Sequence, residues 1–397
     1  MGFAFRELKL FDPKTRLLVD ETFKIAVSDQ QAEDPLADLL VASANPEEAP
    51  GKNFQDFRTK GHITGNLISI QAPKGGNYFL CVNHKGEVIL FEYSQGKIAP
   101  AWSITIPGAF YRAPVIVNGV AFAVNKQGTI SAIRLNWGED GKPTEPSIIW
   151  QKSLNQTVFS KPFATEKVLL IASMNSIHAF DCYSGSEVES GKLGRKLWEQ
   201  RISSTVGSPE LGKGSVFIGS EDKSIYAFSY SADGLTSGWK VKTDGPVRSK
   251  PYLSIKGNYL LAASMDGVLY ALEPNSGKAQ WTFPARAAIH SEIISFLDGN
   301  DEYFVFGNDE GTIFCLNFYG KLQWKFNTDG RIRCEFLLHN NTIYFGSEDN
   351  HLYGLNKTTG KLVLKYNTDG NINGAPVIFD NRLFIGSTDN FIHGIYI

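Results

Sequence analysis

Apolar and polar positions alternate in short runs through most of this chain, and turn residues cut the runs at close intervals. Residues 249–285 show the unit: "SKPYLSI", "YLLAASM", "VLYALEP" and "AQWTFPA". Val, Ile, Tyr and Phe at every second position predict strands. Between them, "MDG" and "NSGK" supply residues that tolerate positive φ in tight turns. The unit recurs. "FIGSEDKSIYAF" occupies 217–228, "TIYFGSEDNHLYGLNKTTGKLVLKYNTDG" occupies 342–370, and "LFIGSTDNFIHGI" occupies 383–395. No stretch within the repeats has a helical period.

Aligned on the small or bending residue before each hairpin turn, the copies fall at Val82, Val124, Ala172, Gly219, Ala263, Gly307, Gly346 and Gly386, spaced 39 to 48 residues apart. Eight copies of four strands at this period predict an all-β chain, an eight-bladed β-propeller of four-stranded antiparallel blades. "GSEDN" then joins the second and third strands of a blade, where Asp and Asn favour turn geometry. A second register is aromatic: Trp102, Trp150, Trp198, Trp239, Trp281 and Trp324 stand in successive fourth strands, and Leu364 takes the place in the seventh copy. One large flat side chain per blade predicts a structural wedge between blades. Trp137, in "NWGEDGKP", lies outside this register.

The last copy has only three strands, which would leave a long exposed edge. "LKLFDPKTRLLVDETF" near the N-terminus is patterned like a third-turn-fourth segment. Residues 1–26 are therefore expected to close the ring, with 27–60 a linker or mobile insert ("DPLADLLVASA" having the pattern of one short helix) and 61–397 the propeller.

Composition narrows the function. A formal net charge of −2 excludes the basic excess expected of a general nucleic-acid binder. No apolar run approaches membrane-spanning length, and the N-terminus lacks a signal-peptide pattern. The expected location is cytoplasmic as the sequence stands, or an exported compartment if the natural chain begins upstream. Cys81, Cys182, Cys315 and Cys334 are too far apart for a metal or haem motif and read as buried free thiols. The acidic turns offer one or two carboxylates each, too few for calcium.

"EPNSGKAQW" (273–281) and, altered, "NKTTGKLVL" (356–364) combine Asp/Glu-x-x-Ser/Thr-Gly-Lys, then Trp, with "TDG"-like turns and Ser-x-Pro strand starts. A third copy, "DCYSGSEVESGKLGRKLW" (181–198), has Ser186 in place of Lys. This pattern resembles the PQQ-type (quinoprotein-like, tryptophan-docking) β-propeller repeat over about residues 61–397. It is similar to outer-membrane-assembly propeller lipoproteins and to propeller domains of amino-acid-activating enzymes. The resemblance implies a fold more strongly than an activity. Quinoprotein dehydrogenases of the family carry an adjacent-cysteine disulfide, calcium-ligating acids and an export signal, and none of these patterns is present here. No other catalytic motif appears. The expected cofactor and metal content is none.

Ligands of propellers usually meet the channel mouth on the face shared by the fourth-to-first connections and the second-to-third turns. Counting from each Trp gives one position per blade there: Thr64, Tyr111, Phe159, Gly207, Arg248, His290, Arg333 and Asn373. Arg248, His290 and Arg333 beside Tyr111, Phe159 and Asn373 suit an acidic peptide, carboxylate or phosphorylated ligand. The opposing reading pairs the arginines with the "TDG" aspartates Asp244, Asp329 and Asp369. On the other face, the third-to-fourth turns are long in copies two, three and four ("NWGEDGKPTEPS", "SGSEVESGKLGRK", "SADGLTSG"), a second candidate surface. The functional expectation is a non-catalytic scaffold binding a protein or peptide. The alternatives are a quinoprotein-type oxidoreductase and a small-anion or sugar-binding propeller.

Overall fold

Every element among the described residues is a strand. The computed structural model describes residues 3–11, 18–28, 51–182, 194–202, 204, 207–212, 214–231 and 234–397. The chain divides into two compact units, Met1–Val41 and Ala42–Ile397. In the second, seven four-stranded antiparallel sheets follow one another at 68–105, 115–153, 163–201, 210–242, 252–284, 294–327 and 337–367. The eighth combines three C-terminal strands, Val377–Phe379, Arg382–Gly386 and Phe391–Tyr396, with Lys52–Arg58. Blade eight meets blade one where Leu67 N donates to Ala375 O at 3.2 Å, and the ring of eight is complete.

The closure corrects the expected boundaries. The first 26 residues do not supply the missing strand. Phe3–Phe11 pairs with Leu18–Ser28, so this hairpin pattern closes on itself. Lys52–Arg58, expected as linker, runs antiparallel to Phe391–Tyr396. Phe54 packs edge-on against Phe384 with centroids 5.6 Å apart, and Phe57 against Phe91 at 4.9 Å. His393 sits between Asp56 at 2.9 Å and Asp389 at 2.8 Å, joining the closing strand to its blade. The short helix expected within 27–60 lies outside the described residues.

The repeated motifs are explained by packing. Trp150, Trp198, Trp239, Trp281 and Trp324 each lie against a glycine of the third-to-fourth turn in the next blade. A Cβ built on Gly277, Gly320 or Gly360 would stand 2.7 Å from the indole of Trp239, Trp281 or Trp324 respectively. The glycine before Lys in this turn (Ser-Gly-Lys, Tyr-Gly-Lys and Thr-Gly-Lys in the three blades) is thus the socket for the preceding blade's Trp. Trp324 and Trp102 are buried and the other four half-buried, as a wedge requires. Blade eight has no such turn, because its third and fourth strands come from opposite ends of the chain. There Leu364 replaces Trp and packs toward Gly51. Gln55 occupies the Trp position of the closing strand and exchanges two hydrogen bonds with the Ile98 backbone of blade one, at 3.1 and 2.7 Å.

The "GSED" turn is also architectural. Asp266 accepts from the amides of Asp244 and Val268 and from the Tyr270 hydroxyl, at 3.0, 2.9 and 2.8 Å. Asp349 repeats the arrangement with Asp329, His351 and Tyr353, and Asp389 with Asp369, Phe391 and His393. These carboxylates pin the "TDG" turn to the third strand, and among the described residues no group of three or more His, Cys, Asp or Glu could hold a metal ion. All four cysteines are buried and free, and burial pushes the Cys182 and Cys334 thiols up to about 12.

Candidate site at the channel mouth

Two rings of positions form the mouth. The first is the predicted column, in the fourth-to-first connections. The second, in the second-to-third turns, is His84, Lys126, Met174, Glu221, Met265, Asp309, Glu348 and Thr388. Backbone bonds tie each turn to the connection beside it, as from Lys126 N to Ala109 O and from Asp309 N to Ala288 O, both 2.9 Å.

Sequence reasoning did not identify the partners of the arginines. Asp244 and Asp329 do not hold them. Arg248 pairs with Glu221 through Nε and Nη2. Arg333 forms a two-pronged pair with Asp309, at 2.9 and 2.7 Å, and its Nη1 lies 3.8 Å from Glu348. Both acceptors belong to the second ring. Burial would raise the Asp309 carboxyl, but the Arg333 hydrogen bonds and the nearby cations hold it below the usual carboxylate range. His290 lies 3.8 Å from Asp309. Burial lowers its pKa, and Asp309 opposes that while Arg333, Arg248 and Arg112 add to it. Asn373 is half-buried on the blade-seven side of the same mouth.

Across the mouth, Tyr111 and Phe159 flank the Lys126 ammonium, 5.4 and 5.6 Å from their ring centroids. His84 packs on Tyr111 with centroids 4.3 Å apart and shares a 3.1 Å hydrogen bond with Thr64 Oγ1. Phe159 is 40% exposed.

A family model described as outer membrane protein assembly factor BamB, a PQQ-like repeat, matches residues 188–320 and 309–396, together just over half of the chain. The chain belongs to this family. Among curated proteins, none matches significantly. Its fold is shared with BamB from Moraxella catarrhalis (16% identity, 88% of this chain and 98% of that one, TM-score 0.65). It is shared also with Saccharomyces cerevisiae Sqt1 (12%, 88% and 99%, 0.66) and with a europium-containing methanol dehydrogenase (11%, 87% of each chain, 0.64). At these identities the likeness is one of architecture.

This member of the PQQ-like family has a charged channel that the sequence reading missed. Two residues beyond the first ring, the inner strands carry Asn66, Lys161, Lys250, Glu292 and Glu335. Lys161, on blade three, reaches Glu335, on blade seven, at 2.7 Å, so one ion pair crosses the channel. Asn66 also donates to Glu335, and Lys250 pairs with Glu210 at 2.5 Å. Charged residues at the start of otherwise apolar strands ("SKP", "SEI", "CEF") were the available signal.

Among the described residues Glu292 has no such direct pair. Burial and the neighbouring Glu335 push its carboxyl up to about 7, against the pull of Lys161, Lys250 and Arg112. The folded chain therefore holds this proton more tightly than the unfolded chain. Stability attached to it falls as pH rises from the ordinary carboxylate value to about 7, then levels. Glu292→Gln should leave the melting temperature unchanged below pH ~4 and raise it above pH ~7. Parallel thermal melts across that range check the expectation, and equal gains at every pH would contradict it.

Proposed function

We propose that this chain is a non-catalytic propeller that binds a protein or peptide partner through its channel mouth. The observation that carries the reading is the Lys161–Glu335 pair across the channel. The pair spans the channel two residues beyond the first ring, an arrangement that suits a surface contact with side chains of many blades more than an engulfed small molecule. Membership in a family described as an assembly factor supports the same reading. Arg248, His290, Arg333, Asn373, Tyr111 and Phe159 are the proposed contact positions of the first ring.

The inserted loops offer less freedom for docking. In blade two, Trp137 stacks edge-on against Tyr78 of blade one at 5.2 Å, and Lys74 donates to the Glu139 carbonyl, so the loop is folded onto its own scaffold. In blade four the insertion extends the hairpin to a Ser231–Gly234 pair. Most of the blade-three insertion, 183–193, lies outside the described residues.

A photo-crosslinking residue at position 159 or 373 in the native host tests the proposal. The expected result is a discrete protein adduct from either position and none from position 278, in a turn of the opposite face. Adducts from 278 alone would move the partner to that face. Dye reduction with an alcohol, dependent on added quinone and calcium, would favour the oxidoreductase reading instead.

A further inference from the structure

The second ring divides the mouth into two chemically different arcs. In blades four, six and seven its residue is Glu221, Asp309 or Glu348, and each acid faces an arginine. The charge of that arc is neutralised internally. In blades one to three the residue is His84, Lys126 or Met174, and no acid stands there. Lys126 has the faces of Tyr111 and Phe159 beside its ammonium, and among the described residues no carboxylate pairs with it. Arg112 donates through Nε to the Phe159 carbonyl at 3.1 Å and forms no direct ion pair among the described residues, although its charge also acts on Glu292 and Glu335 deeper in the channel. A ring face attracts a cation without cancelling its charge. Next to these two cations lie exposed apolar groups, with Phe159 at 40% and Met174 at 51% exposure.

We propose that the blade-one-to-three arc binds an acidic peptide segment in which an Asp or Glu stands beside an aromatic or long aliphatic side chain. The carboxylate goes to Lys126 and Arg112, and the apolar side chain lies on Phe159 and Met174. A free small anion would meet the cations and leave the apolar groups uncovered, whereas the peptide covers both. The opposite arc is a poorer acceptor of acid. A ligand there would have to break a pre-formed Arg–carboxylate pair and face the released carboxylate. This inference rests on the reading of the mouth as a partner site and names the arc and the chemistry within it.

The intact chain, probed on an array of random peptides at low and high salt, tests it. The expected result is enrichment of peptides with Asp or Glu next to Phe, Tyr, Trp or Leu, weakened by salt. Lys126→Glu and Phe159→Ser should each reduce binding about tenfold or more, while Lys278→Glu changes nothing. Thermal melts matching the parent confirm that the variants are folded. No enrichment, or enrichment of basic peptides, overturns the proposal. So does displacement by acetate or phosphate with no effect of Phe159→Ser, which marks a small-anion site. If Arg248→Ala and Arg333→Ala abolish binding while Lys126→Glu does not, the arc is wrong and the mouth reading survives. If only substitutions in the 136–144 loop matter, both readings fall.

Discussion

A chain shortened to begin at residue 59 should lose its cooperative melt, whereas one beginning at residue 51 should keep it. The difference is the strand Lys52–Arg58, the only fourth strand in the ring that is not continuous with its blade. Without it, Phe384 and Phe91 lose the rings of Phe54 and Phe57, and Phe391–Tyr396 becomes an open edge. Phe54 and Phe57 are half-buried, so each is worth less than the about 3–5 kcal/mol of a core Phe, but with the lost strand ladder they make up a large share of the ~5–15 kcal/mol that holds an ordinary domain folded. Circular dichroism melts of the two chains decide the matter. A sharp transition from the shorter chain, near the parent temperature, would show that the ring does not need this closure. Phe54→Ala with Phe57→Ala in the full chain should produce the same direction of change.

The second large effect is expected at a docking pair. Trp324 is 2% exposed and donates through Nε1 to the Lys357 carbonyl at 2.9 Å. Trp324→Ala should cost about 3–5 kcal/mol by urea unfolding. Gly360→Ala places a methyl group against the indole at a φ of 68°, where L-residues are disfavoured by roughly 1–2 kcal/mol before any collision. The two substitutions should not add. With the indole gone, the methyl at 360 meets open space, and only the backbone penalty remains. A double-mutant cycle showing full additivity would mean that socket and wedge are independent, contrary to the packing seen in three consecutive blades.

The eight-blade period, the Trp register and the Ser/Thr-Gly-Lys turns were legible in the sequence because each blade repeats one local solution. Trp needs a flat socket, glycine supplies it, and both recur at fixed positions. The closing strand was harder to find because it breaks the rule that marks the others. "KNFQDFR" carries Gln55 where a Trp would have announced it, and the better-patterned hairpin upstream pairs with itself. The structure brings His290 and Arg333 of the expected column to one acid, Asp309, and Tyr111 and Phe159 to Lys126, whereas the arginines' partners are not the aspartates the sequence suggested. Spacing gives a side chain's ring, whereas the choice between Asp329 and Asp309 for Arg333 depends on which turn leans over it. Asp329 belongs to a turn whose amide is tied to the Asp349 carboxylate, and Asp309 lies within reach. The charged channel residues sit at strand starts, where polar residues are common, so the signal in "SKP", "SEI" and "CEF" was a weak one.

Ring closure also fixes an order of events during synthesis. Asp56 and His393, which meet in blade eight, are 337 residues apart in sequence. At about 5–20 residues per second, the segment 52–58 leaves the ribosome roughly 15–70 s before its partner strand exists. Seven blades can form locally in that interval, since their pairings lie within single repeats. The strand Lys52–Arg58, made before every other strand of the ring, must wait, unpaired and with an apolar side, for Phe391–Tyr396. Emergence of Phe391–Tyr396 is therefore the step that allows the ring to close, and a ribosome stalled before that strand emerges would hold an open ring with two free edges.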